Sequence, residues 1–350
     1  MEYEVREQIR KASNTAFLMV IIYLGFQLAA SIVVGIILGI HMVVTRNINP
    51  DEMLVNIITL VLYLIMYPIG VPILWKIFKH TKIGKLKPTS KEMFQKPKVR
   101  AGKIFKWVLI FLSLSYLSSI AANLLFALIE KLTGFSLTSI DMIPSDNAVS
   151  RLSLSLIIMI FAPIFEEILF RGTVYNSCEQ LGGWSMVIAC GIIFGLFHMN
   201  YSQIIYAAVL GVGACFLYKK TRSLIPGIIL HLSMNVLGGV SSLAVSFIDE
   251  DKLDLIMNGN MQAIEAMDNI SAAPIITLGV IVLMIYAIII VGLVLFIIEL
   301  VKHRDSFRLY KGNTEISEKK KFALFFTSPL AVVCVLLLIG ITVLNAVGLY

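Results

Sequence analysis

Six strongly polar residues interrupt stretches of this sequence that are otherwise almost entirely apolar. They are Glu166, Glu167, Arg171, His198, His231 and Asn235. A charged side chain at membrane depth costs roughly 2.5 kcal/mol or more, so a chain that carries several of them is expected to use them. The set contains carboxylates that can act as a general base, imidazoles that can bind a metal ion or an oxyanion, and an amide donor. Together these groups could activate water and cleave an amide bond.

The spacing of the acidic pair predicts different roles for its two members. Glu167 and Arg171 are four residues apart with the glutamate first, which is the favourable order for an ion pair on one helix face. Glu166 is turned by about 100° from Glu167 and can face another surface. We therefore expect Glu167 and Arg171 to form a structural ion pair and Glu166 to face a cavity as the base. The same geometry would allow the two glutamates to exchange roles.

The two histidines are each paired with a second side chain at helical spacing. His231 and Asn235 are four residues apart and project from one face, as do Phe194 and His198. A rise of about 1.5 Å per residue places Glu166 and His231 at similar depths, roughly 12 to 14 Å from the inner edge. His198 would lie nearer 21 Å deep, unless its helix begins later or is tilted. We predict that these side chains line one cavity open to the inner side.

The elements that must position these residues are membrane-spanning helices. Hydrophobic residues make up 58% of the 350-residue chain and charged residues 15%, with a mean hydropathy of +0.88. A hydrocarbon core of about 30 Å requires apolar runs of about 20 residues. Nine such runs are predicted, two of them short, over residues 16–43, 54–75, 107–129, 152–175, 184–199, 202–218, 223–247, 273–300 and 322–348.

The distribution of basic residues supports this count and predicts the orientation. With the N-terminus on the cytoplasmic side, 24 of the 29 Lys and Arg residues fall in inner segments. We therefore expect an all-α, multi-pass integral membrane protein that contacts anionic lipid through its net charge of +7. A basic inner face is compatible with a bacterial plasma membrane. No basic surface with interleaved aromatic residues is evident, which argues against nucleic-acid binding.

Polar segments divide the chain into three parts. Residues 1–106 are expected to hold two helices and a basic cytoplasmic loop, 107–247 a catalytic helical core centred on spans four to seven, and 248–350 an acidic outer loop and two further helices. Two motifs with glycines four apart, at Gly35 and Gly39 and at Gly191 and Gly195, predict close helix packing. The four cysteines lack the spacing of a zinc ribbon or a disulfide framework.

Three motifs occur in order in the central part: EExxxR from Glu166, FxxxH from Phe194 and HxxxN from His231. In this order they resemble the signature of the CPBP family, the CAAX-protease and bacteriocin-processing (Abi) membrane enzymes. The resemblance covers about residues 150–245. It implies an intramembrane endopeptidase in which Glu166 and His198 polarise a water molecule. His231 and Asn235 would then stabilise the oxyanion.

The resemblance leaves the metal and the substrate open. Members of the family are described as zinc metalloproteases, although a metal-independent glutamate mechanism has also been proposed. Glu166, His198 and His231 would suffice as ligands of a catalytic Zn²⁺, and Glu167 would then be the nearby candidate for the base. The implied substrate is a prenylated or other membrane-associated peptide.

Two other functions are compatible with the same residues. In a secondary transporter or proton relay, the glutamates and histidines would pass protons across the bilayer. Such a protein commonly has repeated halves, and no internal repeat is evident here. A non-catalytic immunity scaffold that only binds a peptide is the second alternative.

Overall fold

The computed structural model describes residues 2–46, 52–135, 137, 148–248, 272–309, 312 and 315–348. All regular elements in these residues are helices, and no strand occurs among them. Seven of these helices are long and apolar enough to span a membrane. The chain is an all-α, multi-pass membrane protein, as predicted. Most of the expected acidic outer loop, residues 249–271, lies outside the described residues.

The first helix, α1 (Glu2–Thr45), is longer than the predicted span 16–43. Its 44 residues extend about 66 Å. All of its buried residues lie between Val5 and Tyr23, and Ser13 anchors this half by donating a 2.5 Å hydrogen bond to the carbonyl oxygen of Phe325. The charged N-terminal stretch is therefore helical because its apolar face packs against the end of the chain.

The second predicted span is a helix with a wide turn in its middle. It consists of α2 (Glu52–Ile65), a π turn at Met66–Gly70 and α3 (Val71–His80). Pro68 lies inside the π turn. Proline lacks the N–H and its ring clashes with the preceding turn, so a widened turn relieves the conflict. The third span is α4 (Ala101–Thr133).

The acidic pair lies on a helical run whose regular part is flanked by π turns. The run begins with α5 (Ala148–Leu156) and a π turn at Ile157–Phe161, and then continues as α6 (Ala162–Leu169) and a second π turn at Phe170–Tyr175. Single π turns inside α-helices occur frequently at functional sites. Both glutamates belong to α6.

Two closely packed helices, α7 (Trp184–Phe197) and α8 (Tyr201–Thr221), follow this run. A Cβ atom added at Gly195 would lie 2.3 Å from the carbonyl oxygen of Ile204, so the glycine is required for this contact. The packing predicted for the second glycine motif is confirmed. At Gly35 and Gly39 in the first motif, no atom of the described residues lies within 4 Å of such a Cβ, and the predicted packing is not found there.

The remaining helices are α9 (Ile225–Val245), α10 (Ala272–Lys302), α11 (Glu318–Phe326) and α12 (Pro329–Ala346). The predicted ninth span is thus two helices, because Ser328 caps the second one and Pro329 begins it. The predicted fourth and fifth spans are not among the seven long apolar helices. The fourth is the run that carries the glutamates, and the fifth is α7, with only 14 residues.

Candidate active site

Glu167 and Arg171 form the ion pair that their spacing predicts. Arg171 Nη1 donates to Glu167 Oε1 at 2.8 Å, and each side chain is only 1% exposed. Arg171 Nη2 also donates to the carbonyl oxygen of Gly211 at 2.9 Å, and the guanidinium lies 4.6 Å from the centre of the Phe194 ring. The guanidinium of Arg171 is therefore met by a carboxylate, a carbonyl and an aromatic face, while its Nε has no hydrogen-bond partner among the described residues.

His231 lies between the two glutamates. Its Nδ1 is 3.2 Å from Glu167 Oε1, and its Nε2 is 3.9 Å from Glu166 Oε2. A carboxylate oxygen paired with Arg171 can only accept, so Nδ1 of His231 is assigned as the donor in this contact. Glu167 therefore does more than the structural pairing expected from sequence, because it also fixes the orientation of the imidazole. We name Glu166, Glu167, Arg171 and His231 the acid cluster.

One oxygen atom of each glutamate in the acid cluster has no hydrogen-bond partner in the described protein. These atoms are Glu166 Oε2 and Glu167 Oε2, and both are buried. The α9 helix approaches Glu167 closely at Gly227, where an added Cβ atom would lie 2.7 Å from Glu167 Oε2. A buried carboxylate oxygen without a partner carries a desolvation cost, and at functional sites it marks a position where water or substrate can bind.

The charges of the acid cluster balance only when it holds one additional proton. Two carboxylates and one guanidinium sum to a net charge of −1, and a proton on either His231 or Glu166 restores neutrality. An isolated net charge is costly at membrane depth, so the neutral cluster is favoured.

Phe194 connects His198 to the acid cluster. Its ring contacts His198 at a centroid distance of 4.9 Å and His231 at 5.3 Å, both edge to face. His198 Nδ1 lies 2.8 Å from the carbonyl oxygen of Phe194, so it donates there and leaves the lone pair on Nε2. His198 thus lies directly after the end of the short helix α7, which begins at Trp184, and it is next to the acid cluster through Phe194.

Asn235 holds the first π turn of the acidic run. Its Nδ2 donates to the carbonyl oxygen of Ile158 at 2.9 Å. A carboxamide nitrogen has two N–H groups, so one donor remains after this bond. From the motif we expect the Asn235 side chain to face the substrate. The observed hydrogen bond means that Asn235 also stabilises the first π turn. Helical periodicity does not predict this π turn. Pro163 follows the turn by two residues and is the sequence signal for an irregular helix there.

The predicted zinc ligands are suitable in type but are not grouped as a ligand set. Both histidines have Nδ1 engaged by an oxygen atom, an arrangement that leaves Nε2 available for a metal. Within the described part of the chain, however, no three His, Cys, Asp or Glu side chains are placed so that they could hold a metal ion. Zn²⁺ stays a prediction.

Comparisons with known proteins point to the same region. Residues 148–237 match a family model described as type II CAAX prenyl endopeptidase Rce1-like. The chain is also similar to "Putative membrane peptidase YdiL" of Bacillus subtilis (strain 168), with 30% identity over 77 residues. That match covers 22% of this chain and 32% of the relative, so it spans about a third of the relative's length. No solved structure matches. The family match includes all six polar residues that the sequence singled out, and together with the bacterial relative it supports the resemblance to the CPBP family of membrane proteases.

Proposed function

We propose that this protein is an intramembrane endopeptidase that hydrolyses a peptide bond with a water molecule activated by Glu166. The observation that carries the proposal is the buried oxygen Glu166 Oε2, which has no hydrogen-bond partner and faces Nε2 of His231. A carboxylate that is buried beside an imidazole and available to accept a proton is suited to general-base catalysis. The match to a peptidase family supports the same reaction class.

In the reactive form the additional proton of the acid cluster lies on His231, and Glu166 is ionised. Glu166 accepts a proton from water while the water oxygen attacks the peptide carbonyl carbon, and the carbonyl π electrons move to oxygen. Glu166 then donates the proton to the amine nitrogen as the C–N bond breaks. Glu166 is ionised again at the end, and one water molecule has been consumed.

The oxyanion formed in this step needs donors in a site that excludes water. The Nε2–H of protonated His231 and the second amide N–H of Asn235 can supply them, and such donors are worth about 10²–10³ in rate each. His198 Nε2 accepts a hydrogen bond from the attacking water and so helps to polarise it. Glu167 and Arg171 act as positioning residues, because they hold His231 in the required orientation.

The substrate that we propose is a peptide held in or at the membrane, including a prenylated one. This proposal is supported by the membrane depth predicted for Glu166 and His231 and by the CAAX endopeptidase that the matching family model describes. If Zn²⁺ is used, Glu166, His198 and His231 would hold it, and it would supply Lewis-acid activation of the water.

A reconstituted cleavage assay tests this function. The purified protein in liposomes would be offered a fluorogenic peptide with a membrane anchor, and products would be identified by mass spectrometry. We expect His231→Ala and His198→Ala to lower the rate at least 10²-fold. Equal cleavage by the parent and these variants would contradict the proposal. Chelator treatment of metal-stripped protein decides the zinc prediction separately.

The same liposomes distinguish the transporter alternative. A proton relay through the acid cluster would collapse an imposed pH gradient without any peptide, and His231→Ala would abolish that flux. We expect the parent protein to leave the gradient unchanged. A gradient that collapses only with the intact cluster, in the absence of cleavage, would favour transport over hydrolysis.

A further inference from the structure

An apolar slot lies on the face of α8 that points away from the acid cluster. It has a volume of about 320 Å³ and lies between α4, α8 and α10. Ile110 and Phe111 form its buried floor, and the half-buried Leu114, Val209 and Val212 line its deeper part. The described residues that line it are all aliphatic or aromatic. A slot of this composition excludes water and suits a hydrocarbon chain.

The slot continues into a charged pocket at the basic end of the helices. This second pocket has a volume of about 600 Å³ and shares Trp184 and Phe307 with the slot. The indole nitrogen of Trp184 donates to the carbonyl oxygen of Phe307 at 2.9 Å, which fixes this shared wall. Tryptophan is enriched at the membrane–water interface. The two cavities therefore form one site with an apolar interior and a polar mouth.

The mouth is lined by two cations, Arg304 and Arg308, and two acids, Asp305 and Glu318, and further cations lie next to this lining. Asp305 is paired with Arg308 at 3.0 Å, and Glu318 with the buried Lys321 at 2.8 Å. Arg304 has no acidic partner among the described residues, and the ammonium of Lys220 donates to the carbonyl oxygen of Arg308 at 2.7 Å instead of to an acid. Arg304 lines the mouth and Lys220 lies beside Arg308 at its edge, so two cations without acidic partners among the described residues are near the entrance of the apolar slot.

The length of the slot matches the thickness of one leaflet of a bilayer. Val209 lies twelve residues before the end of α8 at Thr221, so the slot reaches about 18 Å from the basic end. Half of a hydrocarbon core of about 30 Å is about 15 Å. The basic end is predicted to be cytoplasmic, where anionic lipid head groups are concentrated.

The slot is separate from the candidate active site. Val209 and Val212 face the slot, whereas Gly211, on the opposite side of the same helix, accepts the hydrogen bond from Arg171. Helical spacing places these two sets of residues on opposing faces of α8. A molecule in the slot would therefore contact the helix that supports Arg171 without entering the site of hydrolysis.

We propose that the slot and its charged mouth bind one anionic glycerophospholipid, with an acyl chain along Ile110 and Phe111 and the phosphate at Arg304 and Lys220. The apolar interior accounts for the chain, and the two cations without acidic partners account for the phosphate. Neither feature alone would distinguish this molecule from bulk lipid, because a lipid held only by its tails exchanges freely with the bilayer. The phosphate contact gives the site its selectivity.

Native mass spectrometry of delipidated protein tests the proposal. The probes are palmitoyl-oleoyl phosphatidylglycerol, diacylglycerol with the same tails and inorganic phosphate. We expect one phosphatidylglycerol per protein, bound at least tenfold more tightly than diacylglycerol, and no competition from millimolar phosphate. Equal binding of the two lipids would overturn the phosphate contact. Displacement by inorganic phosphate would show a site for the free anion and would overturn the proposal.

Matched variants locate the bound lipid. Leu300→Trp places a large side chain in the slot, and Arg304→Ala removes a cation from its mouth; each is expected to weaken phosphatidylglycerol binding about tenfold. Leu283→Trp is the control, because Leu283 lies on the same helix α10, is 71% exposed and does not line the slot. Equal loss in Leu300→Trp and Leu283→Trp would overturn the location. Competition by a farnesylated peptide would assign the slot to substrate and would also overturn the proposal.

Discussion

Two buried charge clusters follow one another along the chain, and they are unbalanced in opposite directions. The acid cluster has two carboxylates for one guanidinium, and two of its carboxylate oxygens lack partners. Farther along, Glu179 is surrounded by Lys87, Lys219 and Arg222, at distances of 3.8, 3.8 and 2.5 Å. In this second group, the Glu179 cluster, the atom without a hydrogen bond is the buried ammonium nitrogen of Lys87.

The difference follows from where each cluster lies and what it connects. The Glu179 cluster joins the segment after α3, the last turn of α8 and the turn before α9, so it fastens the basic ends of the helices. Burial lowers the pKa of Lys87, while the charge of Glu179 opposes that shift. The acid cluster is enclosed between α6 and α9, and its formal charges balance only when it holds one additional proton. We infer that the Glu179 cluster is structural and that the acid cluster is chemical.

Removing Arg171 should have the largest effect on stability. Arg171→Ala leaves the charge of Glu167 buried and unpaired, which costs about 3–5 kcal/mol of unfolding free energy. The double variant Glu167→Gln/Arg171→Met removes both charges and should recover most of this loss. Unfolding in mixed micelles measures both. An Arg171→Ala protein as stable as the parent would contradict the assigned pairing.

Asn235→Ala should lower the cleavage rate about 10²-fold or more, because it removes a donor for the oxyanion. It also removes the bond to Ile158, which is worth about 1 kcal/mol of stability. Asn345→Ala is the control, since Asn345 likewise donates to a backbone carbonyl, that of Met199, at 2.8 Å. Similar rates for the two variants, measured per folded molecule, would show that Asn235 is structural only.

Glu179→Ala should reduce stability without changing the chemistry. It removes the carboxylate that accepts from Arg222 and lies 3.8 Å from the ammonium groups of Lys87 and Lys219. The expected cost is roughly 1–3 kcal/mol of unfolding free energy, less than for Arg171→Ala because Arg222 is half exposed and can be hydrated. The cleavage rate per folded molecule should stay within about twofold of the parent. Glu7→Ala, in an exposed pair with Lys11, is a control expected to change stability by less than about 1 kcal/mol. A large rate loss in Glu179→Ala at full stability would make the second cluster catalytic.

Lys87→Met should have the smallest effect. The ammonium of Lys87 is buried, lacks a hydrogen bond and is one of three cations around a single carboxylate. Replacing it by an apolar side chain of similar length should leave the free energy of unfolding within about 1 kcal/mol of the parent, or raise it. Thermal unfolding in detergent measures this change. A loss as large as that of Glu179→Ala would show that Lys87 is an essential partner.

Much of this arrangement could be predicted from local spacing. Helical periodicity predicts which side chains within one or two turns share a face. It accounts for the pairing of Glu167 with Arg171 and for the contact between Phe194 and His198. The all-helical membrane fold follows from composition and from the length of apolar runs. These features depend on neighbours in sequence, so one sequence suffices to predict them.

Contacts between helices could not be predicted in the same way. Glu167 bonds His231, 64 residues away, because Gly227 allows α9 to approach it. Asn235 is directed to Ile158 by a π turn that periodicity does not indicate. The Glu179 cluster was missed altogether, because its cations come from three segments and each resembles an ordinary basic loop residue. Such pairings depend on tertiary packing.

The most direct test of the central claim is the ratio of cleavage rates between Glu166→Gln and Glu167→Gln. Both variants keep the side-chain shape and remove one charge, and both would be measured on the anchored peptide and normalised to folded protein. We predict a loss of about 10³-fold or more for Glu166→Gln, which removes the base, and a smaller loss for Glu167→Gln, whose amide oxygen can still accept a hydrogen bond from His231. Equal losses, or a larger loss for Glu167→Gln, would contradict the assignment of Glu166 as the base.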